Sequence, residues 1–279
     1  MPKLLREHWL DQSKNREPLS VSHNLNTTQS DHVSLYLNTM IENNLSFTVS
    51  HHAVLFALLS RAVLSRFGEV KGEKIIRQAV RRYGEQRGHR MAFRAQRDGE
   101  PLSMLNYMAY SEWRVGPGET EQRMLEKVPE ALSFVDRCPW HRAWVESDLL
   151  RFGRLYCLEI DQALVRGFNP ELRLDVLSTL SNDDRSCELV FHDANLTPEN
   201  LNILGEKKST NQQKGAVMSW EYHTAHLYHA VRSVVVDELN GEGEEALQDA
   251  LAYFTQRYGE EAVRLILSYQ ALDFDCLPE

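Results

Sequence analysis

From His51 the chain reads HHAVLFALLSRAVLSRF, with apolar residues at 54, 55, 58, 59, 62 and 63, the recurrence of one helix face. Gly68 and Gly72 punctuate that run, and EKIIRQAVRRYGEQRGHRMAFRAQRDG continues as a second helix that stops near Gly99-Glu100-Pro101. The spacing therefore predicts a helical hairpin over residues 51–97. Upstream, SKNREP and SHNLNTTQSDH are polar and carry no sustained period, so residues 1–50 are expected to form an N-terminal arm and lead-in.

The period shortens in the middle of the chain, and residues 128–195 are expected to form a small α/β unit. ALSFVDRCPW reads as a strand ending at Pro139, whereas HRAWVESDLLRF and GRLYCLEIDQALVRGF suit helices, the second closing near Gly167 and Pro170. In ELRLDVLSTLSNDDRSCELVFHDA the apolar residues lead into the turn SNDD. Cys187, Leu189 and Phe191 lead out of it with period-two alternation, the mark of a β-hairpin. LGEKKSTNQQKG (204–215) is polar and reads as a linker. Helical periodicity then returns over 220–268. HTAHLYHAVRSVVVDELNGEGEEALQDALAYFTQRYG aligns with the first hairpin through a single gap, pairing His51 with His223 and Gly72 with Gly243. The fold class expected is α+β and mainly helical, with two helical hairpins flanking an α/β unit that contains an antiparallel β-hairpin.

Composition narrows the function classes. A formal charge of −9 opposes a nucleic-acid partner, which calls for a basic stripe. The one basic stretch, Arg77, Arg81, Arg82, Arg87 and Arg90, reads as a solvated or salt-bridged helix face. The longest apolar run, Ala53 to Leu59, is too short for a membrane span, and MPKLLREHWLDQS lacks the apolar core of a secretory signal. Four cysteines in this length form no disulfide framework, so reduced thiols and a cytoplasmic location are expected.

Reactive residue types concentrate in the middle segment. Cys157 and Asp161 stand four apart on an expected helix and share a face. Cys187 lies on the outgoing strand, so Cys138, Cys157, Asp161 and Cys187 are candidates for one pocket. The residues alone leave three readings open: buried packing, a thiolate nucleophile with His or Asp moving protons, or a Cys/Asp/His metal site. The metal spacing is poor, since Cys138-x2-His141 has no second pair. No metal ligand is assigned and no cofactor is expected; zinc is the alternative kept open. His223, His226 and His229 recur every third residue and step around the helix by about 60° each time. His51 stands at the matching start of the first hairpin. Arg87, with His89 and Arg90 in RGHRM, could supply a carboxylate-binding fork. Trp140, Trp144, Tyr156 and Phe168 fit the core better than a substrate box.

CPWHRAW, YCLEIDQALVRGFNPEL and LDVLSTLSNDDRSCELVF together resemble the middle of the L-2-amino-thiazoline-4-carboxylic acid hydrolase family. YHTAHLYHAVR and RYGEQRGHRMA resemble its flanking helices. The segment is also similar to vinyl-4-reductase-type small-molecule-binding domains, some of which hold zinc between cysteines and a carboxylate; Cys157 and Asp161 depart from that cysteine spacing. The first resemblance implies a single hydrolase-like domain over residues 51–279 and hydrolytic opening of a small five-membered C–N ring, such as an amino-thiazoline, hydantoin or related cyclic amide. The expected catalytic residues are Cys157, Asp161, Cys187, His223 and His226; the expected substrate-binding residues are His51, Arg87, Trp140 and Asn169. A small-molecule substrate is the expected partner, with neither nucleic acid nor membrane, and assembly as a homo-oligomer is compatible with the sequence. The alternative is a non-catalytic small-molecule-binding or sensing module.

Overall fold

The computed structural model describes residues 45–278, and the expected arm lies outside the described residues up to residue 44. Helix α1 (Val49–Phe67) and helix α2 (Glu69–Arg97) meet at Gly68, a one-residue corner with φ of 83°. Near the C-terminus, α8 (Trp220–Tyr258) is broken at Asn240 (φ 52°, ψ −136°), which makes the corner of a second hairpin, and α9 (Glu260–Ser268) follows. Both corners need a glycine shortly afterwards. A Cβ on Gly72 would stand 2.9 Å from the Leu64 Cα, and one on Gly243 would stand 2.7 Å from the Val235 carbonyl oxygen.

Matching Gly72 to Gly243 and Leu64 to Val235 requires no gap. The buried residues Ile76 and Tyr83 then fall on the buried Leu247 and Phe254. This register pairs His223 with His52 instead of His51, one position from the sequence expectation. His52 and His223 are both fully buried, and α1 packs along α8, so the two histidines lie on the same side of the helical core.

The middle of the chain forms a four-stranded antiparallel sheet of order β1-β2-β4-β3, from β1 (Glu121–Glu126), β2 (Ala131–Arg137), β3 (Leu174–Ser178) and β4 (Cys187–Phe191). The expected hairpin is β3–β4. Strand β1 escaped the sequence reading because EQRMLE is a mostly exposed edge strand with no buried face to impose alternation. Between β2 and β3 run α4 (Pro139–Glu146), α5 (Leu150–Cys157) and α6 (Ile160–Phe168). The helix expected over 153–168 is thus two helices, and Cys157 and Asp161 do not share one. The break falls at Leu158-Glu159, where the buried Glu159 carboxylate is held 2.6 Å from Arg77 and 3.0 Å from Arg81.

The expected linker 204–215 is also corrected. Most of it belongs to α7 (Pro198–Gln213), capped by Thr197, whose hydroxyl accepts from the Asn200 N–H, and started by Pro198. Polar contacts dock this helix on α3 (Met104–Ala109). Asn211 donates to the Ala109 carbonyl at 3.0 Å, and Lys207 reaches the Asn106 side chain at 2.8 Å. Leu204, buried in the core with Leu201 packed beside it, completes the docking without a long apolar stripe. No helix among the described residues is long and apolar enough to cross a membrane.

Helix α6 crosses α2 with the backbones nearly touching. A Cβ on Gly88 would meet the Leu164 carbonyl oxygen at 2.3 Å and the Phe168 nitrogen at 2.5 Å, whereas one on Gly205, in α7, would meet nothing within 4 Å. Gly88→Ala is expected to destabilise the protein by about 3 kcal/mol or more. Gly205→Ala should stabilise it by about 0.5–1 kcal/mol. Denaturant unfolding of both variants measures this, and equal midpoints would contradict the close crossing.

Candidate active site

Arg87, Arg90 and Arg94 recur on one face of α2, and all three are buried. The Glu112 carboxylate, fully buried, lies among them. Arg90 grips it with two bonds, Nε to Oε1 at 3.0 Å and Nη2 to Oε2 at 2.8 Å, and Arg94 Nη1 reaches Oε1 at 2.6 Å. Burial alone would push the Glu112 carboxyl up, but the charges and hydrogen bonds of Arg90, with Arg94 and Arg87, hold it down at about 2. The sequence reading of a solvated or salt-bridged Arg face holds for Arg77 and Arg81, which pair with Glu159, while Arg87 and Arg90 are ion-paired to Glu112 but buried, not solvated.

Arg87 is the poorly matched member. Its Nε stands 3.5 Å from Glu112 Oε2, and neither Nε nor Nη1 has a hydrogen-bond partner. Its guanidinium carbon lies over Trp113, 3.6 Å from the ring centroid. Three guanidinium groups thus surround one carboxylate, leaving positive charge in excess at Arg87. Buried polar groups are normally paired, which makes the two unpaired N–H donors of Arg87 an exception.

Arg87 lines a cavity of about 360 Å³, a volume typical of small-molecule sites. The sheet supplies one wall. Cys187, Leu189 and Phe191 alternate along β4 onto the same face, with Val135 paired beside Cys187. Helices α5 and α6 supply Tyr156, Cys157 and Asp161, and the start of α4 supplies Cys138 and Trp140. Lys208 stands exposed at the mouth, where partial burial and the nearby Arg114 pull its ammonium pKa down.

Within this cavity Asp161 has no ion-pair partner. Burial pushes its carboxyl up to about 6, against the opposing charge of Arg87. The thiols also move upward. Burial pushes Cys157 well above its ordinary range, Cys187 to about 11 and Cys138 in the same direction. The Leu180 N–H donates to the Cys187 sulfur at 3.3 Å.

Of the sequence candidates, Cys157, Asp161, Cys187, Arg87 and Trp140 line this one cavity. The histidines do not, and their expected place in the pocket is corrected. His223 and His226 are fully buried behind Arg87, where His223 Nε2 bonds the Glu112 carbonyl at 3.0 Å and His226 Nε2 bonds Gln86 at 2.9 Å. Burial lowers the His223 imidazole to about 3 and the His226 imidazole well below its usual range, so neither supplies the cation expected beside a thiol. His51 is a capping residue. Its Nδ1 lies 3.1 Å from the Thr48 hydroxyl, and its ring stacks between Phe47 and Tyr258. Asn169 caps the end of α6 and donates to the Leu102 carbonyl at 2.8 Å, also away from the cavity. No group of three or more His, Cys, Asp or Glu side chains suited to a metal ion occurs among the described residues.

The family model described as L-2-amino-thiazoline-4-carboxylic acid hydrolase matches residues 47–191, more than half of the chain. The chain belongs to this family. Apart from Lys208, every residue lining the cavity falls inside the matched segment, whereas His223 and His226 fall outside it. Neither the curated proteins nor the solved structures provide a match.

The sequence reading missed Glu112, Trp113 and the lining role of Tyr156. The spacing of Arg87, Arg90 and Arg94 was the available signal, because three cations on one face of a helix with buried neighbours require an anion. The rule that a desolvated carboxylate opposes folding yields a test on Asp161. Its folded pKa is raised, so the stability it contributes is present at low pH and is lost as pH rises through about 6. Asp161→Asn should therefore raise Tm more at pH 8 than at pH 5. An equal change at both values would mean that the carboxylate is not desolvated.

Proposed function

We propose that the cavity is a hydrolytic site that opens a five-membered C–N ring bearing a carboxylate, an amino-thiazoline carboxylate or a related cyclic amide. The observation that carries this reading is that one cavity holds Arg87, with two unpaired guanidinium donors, and Asp161, partnerless and with its pKa raised. Arg87 takes the substrate carboxylate and satisfies its free donors. Trp140 and Leu189 flank the ring, and Lys208 at the mouth attracts the anion.

Asp161 then acts on water. Its carboxylate accepts a proton as the water oxygen bonds to the ring carbon between the heteroatoms. The ring C–N bond breaks, and the leaving nitrogen receives that proton back from Asp161, so one water is added and the enzyme is restored. Water is the better nucleophile here because all three cavity thiols are pushed upward and remain protonated near neutral pH.

A panel of thiazoline carboxylates, hydantoins and related cyclic amides, assayed for ring opening, tests the reading. Because the base must be ionised, kcat/KM should climb with pH and level off above about 6. Asp161→Asn should lower kcat by roughly 10²–10⁴-fold. Arg87→Gln should act mainly by raising KM for carboxylate substrates, while Cys157→Ser and Cys187→Ser should keep turnover within about tenfold. Loss of several orders of magnitude in either serine variant would transfer the nucleophile role to the thiolate. Binding without any turnover would favour the sensing module.

A further inference from the structure

A second orphaned polar group lies in the same cavity wall. Tyr156 lines the cavity, yet its hydroxyl is buried with no hydrogen-bond partner. Behind it runs a chain of hydrogen bonds whose direction is fixed by its first member. Trp140 Nε1 can only donate, and it donates to His52 Nδ1 at 3.1 Å. His52 is fully buried, and its pKa lies well below the ordinary imidazole value because of burial, so the ring is neutral. Its single proton must then be on Nε2, which faces the Tyr83 hydroxyl at 3.0 Å.

Tyr83 consequently accepts from His52, and its own proton is free to point onward. Its neighbour is Tyr156, with ring centroids 6.4 Å apart. The Tyr156 hydroxyl itself has no hydrogen-bond partner, so its single proton is unclaimed. His52 and Tyr83 pack against the Tyr156 ring and fix this free donor in a water-poor wall, where a fixed dipole stabilises charge that develops on a bound molecule. Asp161 and Arg87 line the same cavity as Tyr156.

We propose that Tyr156 donates a hydrogen bond to the oxygen that forms on the ring carbon during hydrolysis, and that His52 and Tyr83 are positioning residues for that donor. This rests on the hydrolase reading for its reaction, while the contact itself can be measured without turnover. Two probe rings differ at the critical carbon, and their binding is read before any ring opening, at a pH where the amine of the ring without oxygen is uncharged. 2-Oxothiazolidine-4-carboxylate carries an oxygen on the ring carbon between sulfur and nitrogen, and thiazolidine-4-carboxylate carries none.

Titration calorimetry on the full chain should show the oxo ring bound roughly tenfold more tightly, the scale of one hydrogen bond. Tyr156→Phe should abolish that preference while still binding the ring without oxygen. Tyr83→Phe, farther from the ligand, should narrow it. A wild-type protein with no preference, or a Tyr156→Phe variant that retains it, overturns the assignment. Should Tyr156→Phe bind neither ring, Tyr83→Phe decides, and an unchanged preference there overturns the proposal. If the Tyr156-dependent preference holds but no ring in the substrate panel is opened, the donor assignment stands and the hydrolase reading fails.

Discussion

The buried Glu112 carboxylate is the constraint on which the rest of this molecule depends. Its side chain binds Arg90 and Arg94 of α2, while its backbone carbonyl accepts from the Met218 N–H at 2.7 Å and faces His223 Nε2 at 3.0 Å. One residue therefore ties the first hairpin to the start of the second. Arg90 extends the tie by donating to the Phe274 carbonyl, which brings the C-terminal segment over His226, whose ring stacks on Phe274 at 4.6 Å. A cluster of this kind is expensive to desolvate, and removing one partner from a buried ion pair costs about 3–5 kcal/mol. Its value lies in specifying a single arrangement of helices. It also creates a surplus of positive charge, which is directed at the cavity through Arg87.

The same logic explains why the site is built across two kinds of structure. A rigid sheet face fixes Cys187, Leu189 and Phe191, and the close crossing of α2 and α6 fixes Arg87 relative to Asp161. The glycines at that crossing let the two helix backbones approach closely. Asp161 is held in a state that opposes stability, a cost that the proposed hydrolytic role would account for. The thiols around it stay in their neutral form and complete an apolar wall.

Much of the fold was legible because its signals are local. The helical hairpins announce themselves in the periodicity of HHAVLFALLSRAVLSRF, and the β3–β4 hairpin in the alternation Cys187, Leu189, Phe191. The elements that were missed carry no apolar period: β1 is an exposed edge, and α7 docks through Asn211 and Lys207. The break between α5 and α6 depends on Arg77 and Arg81 reaching Glu159 from another helix, a tertiary fact with no local trace. Of the cavity lining, Cys138, Cys157, Asp161 and Cys187 were legible as reactive types clustered in the middle segment, and Arg87 as a cation able to fork a carboxylate. The histidines misled because helical spacing reports which residues share a face and not what that face meets. His223 and His226 meet Glu112, Gln86 and Arg90 in the interior.

The most direct test of the account is a crystal structure of the protein soaked with 2-oxothiazolidine-4-carboxylate. The account requires the ligand carboxylate within about 2.7–3.2 Å of an Arg87 guanidinium nitrogen, with the oxo carbon turned towards Asp161 and Tyr156. A ligand bound elsewhere, or one lying in the cavity with its carboxylate turned to Lys208 and solvent while the Arg87 donors stay unpaired, would contradict it.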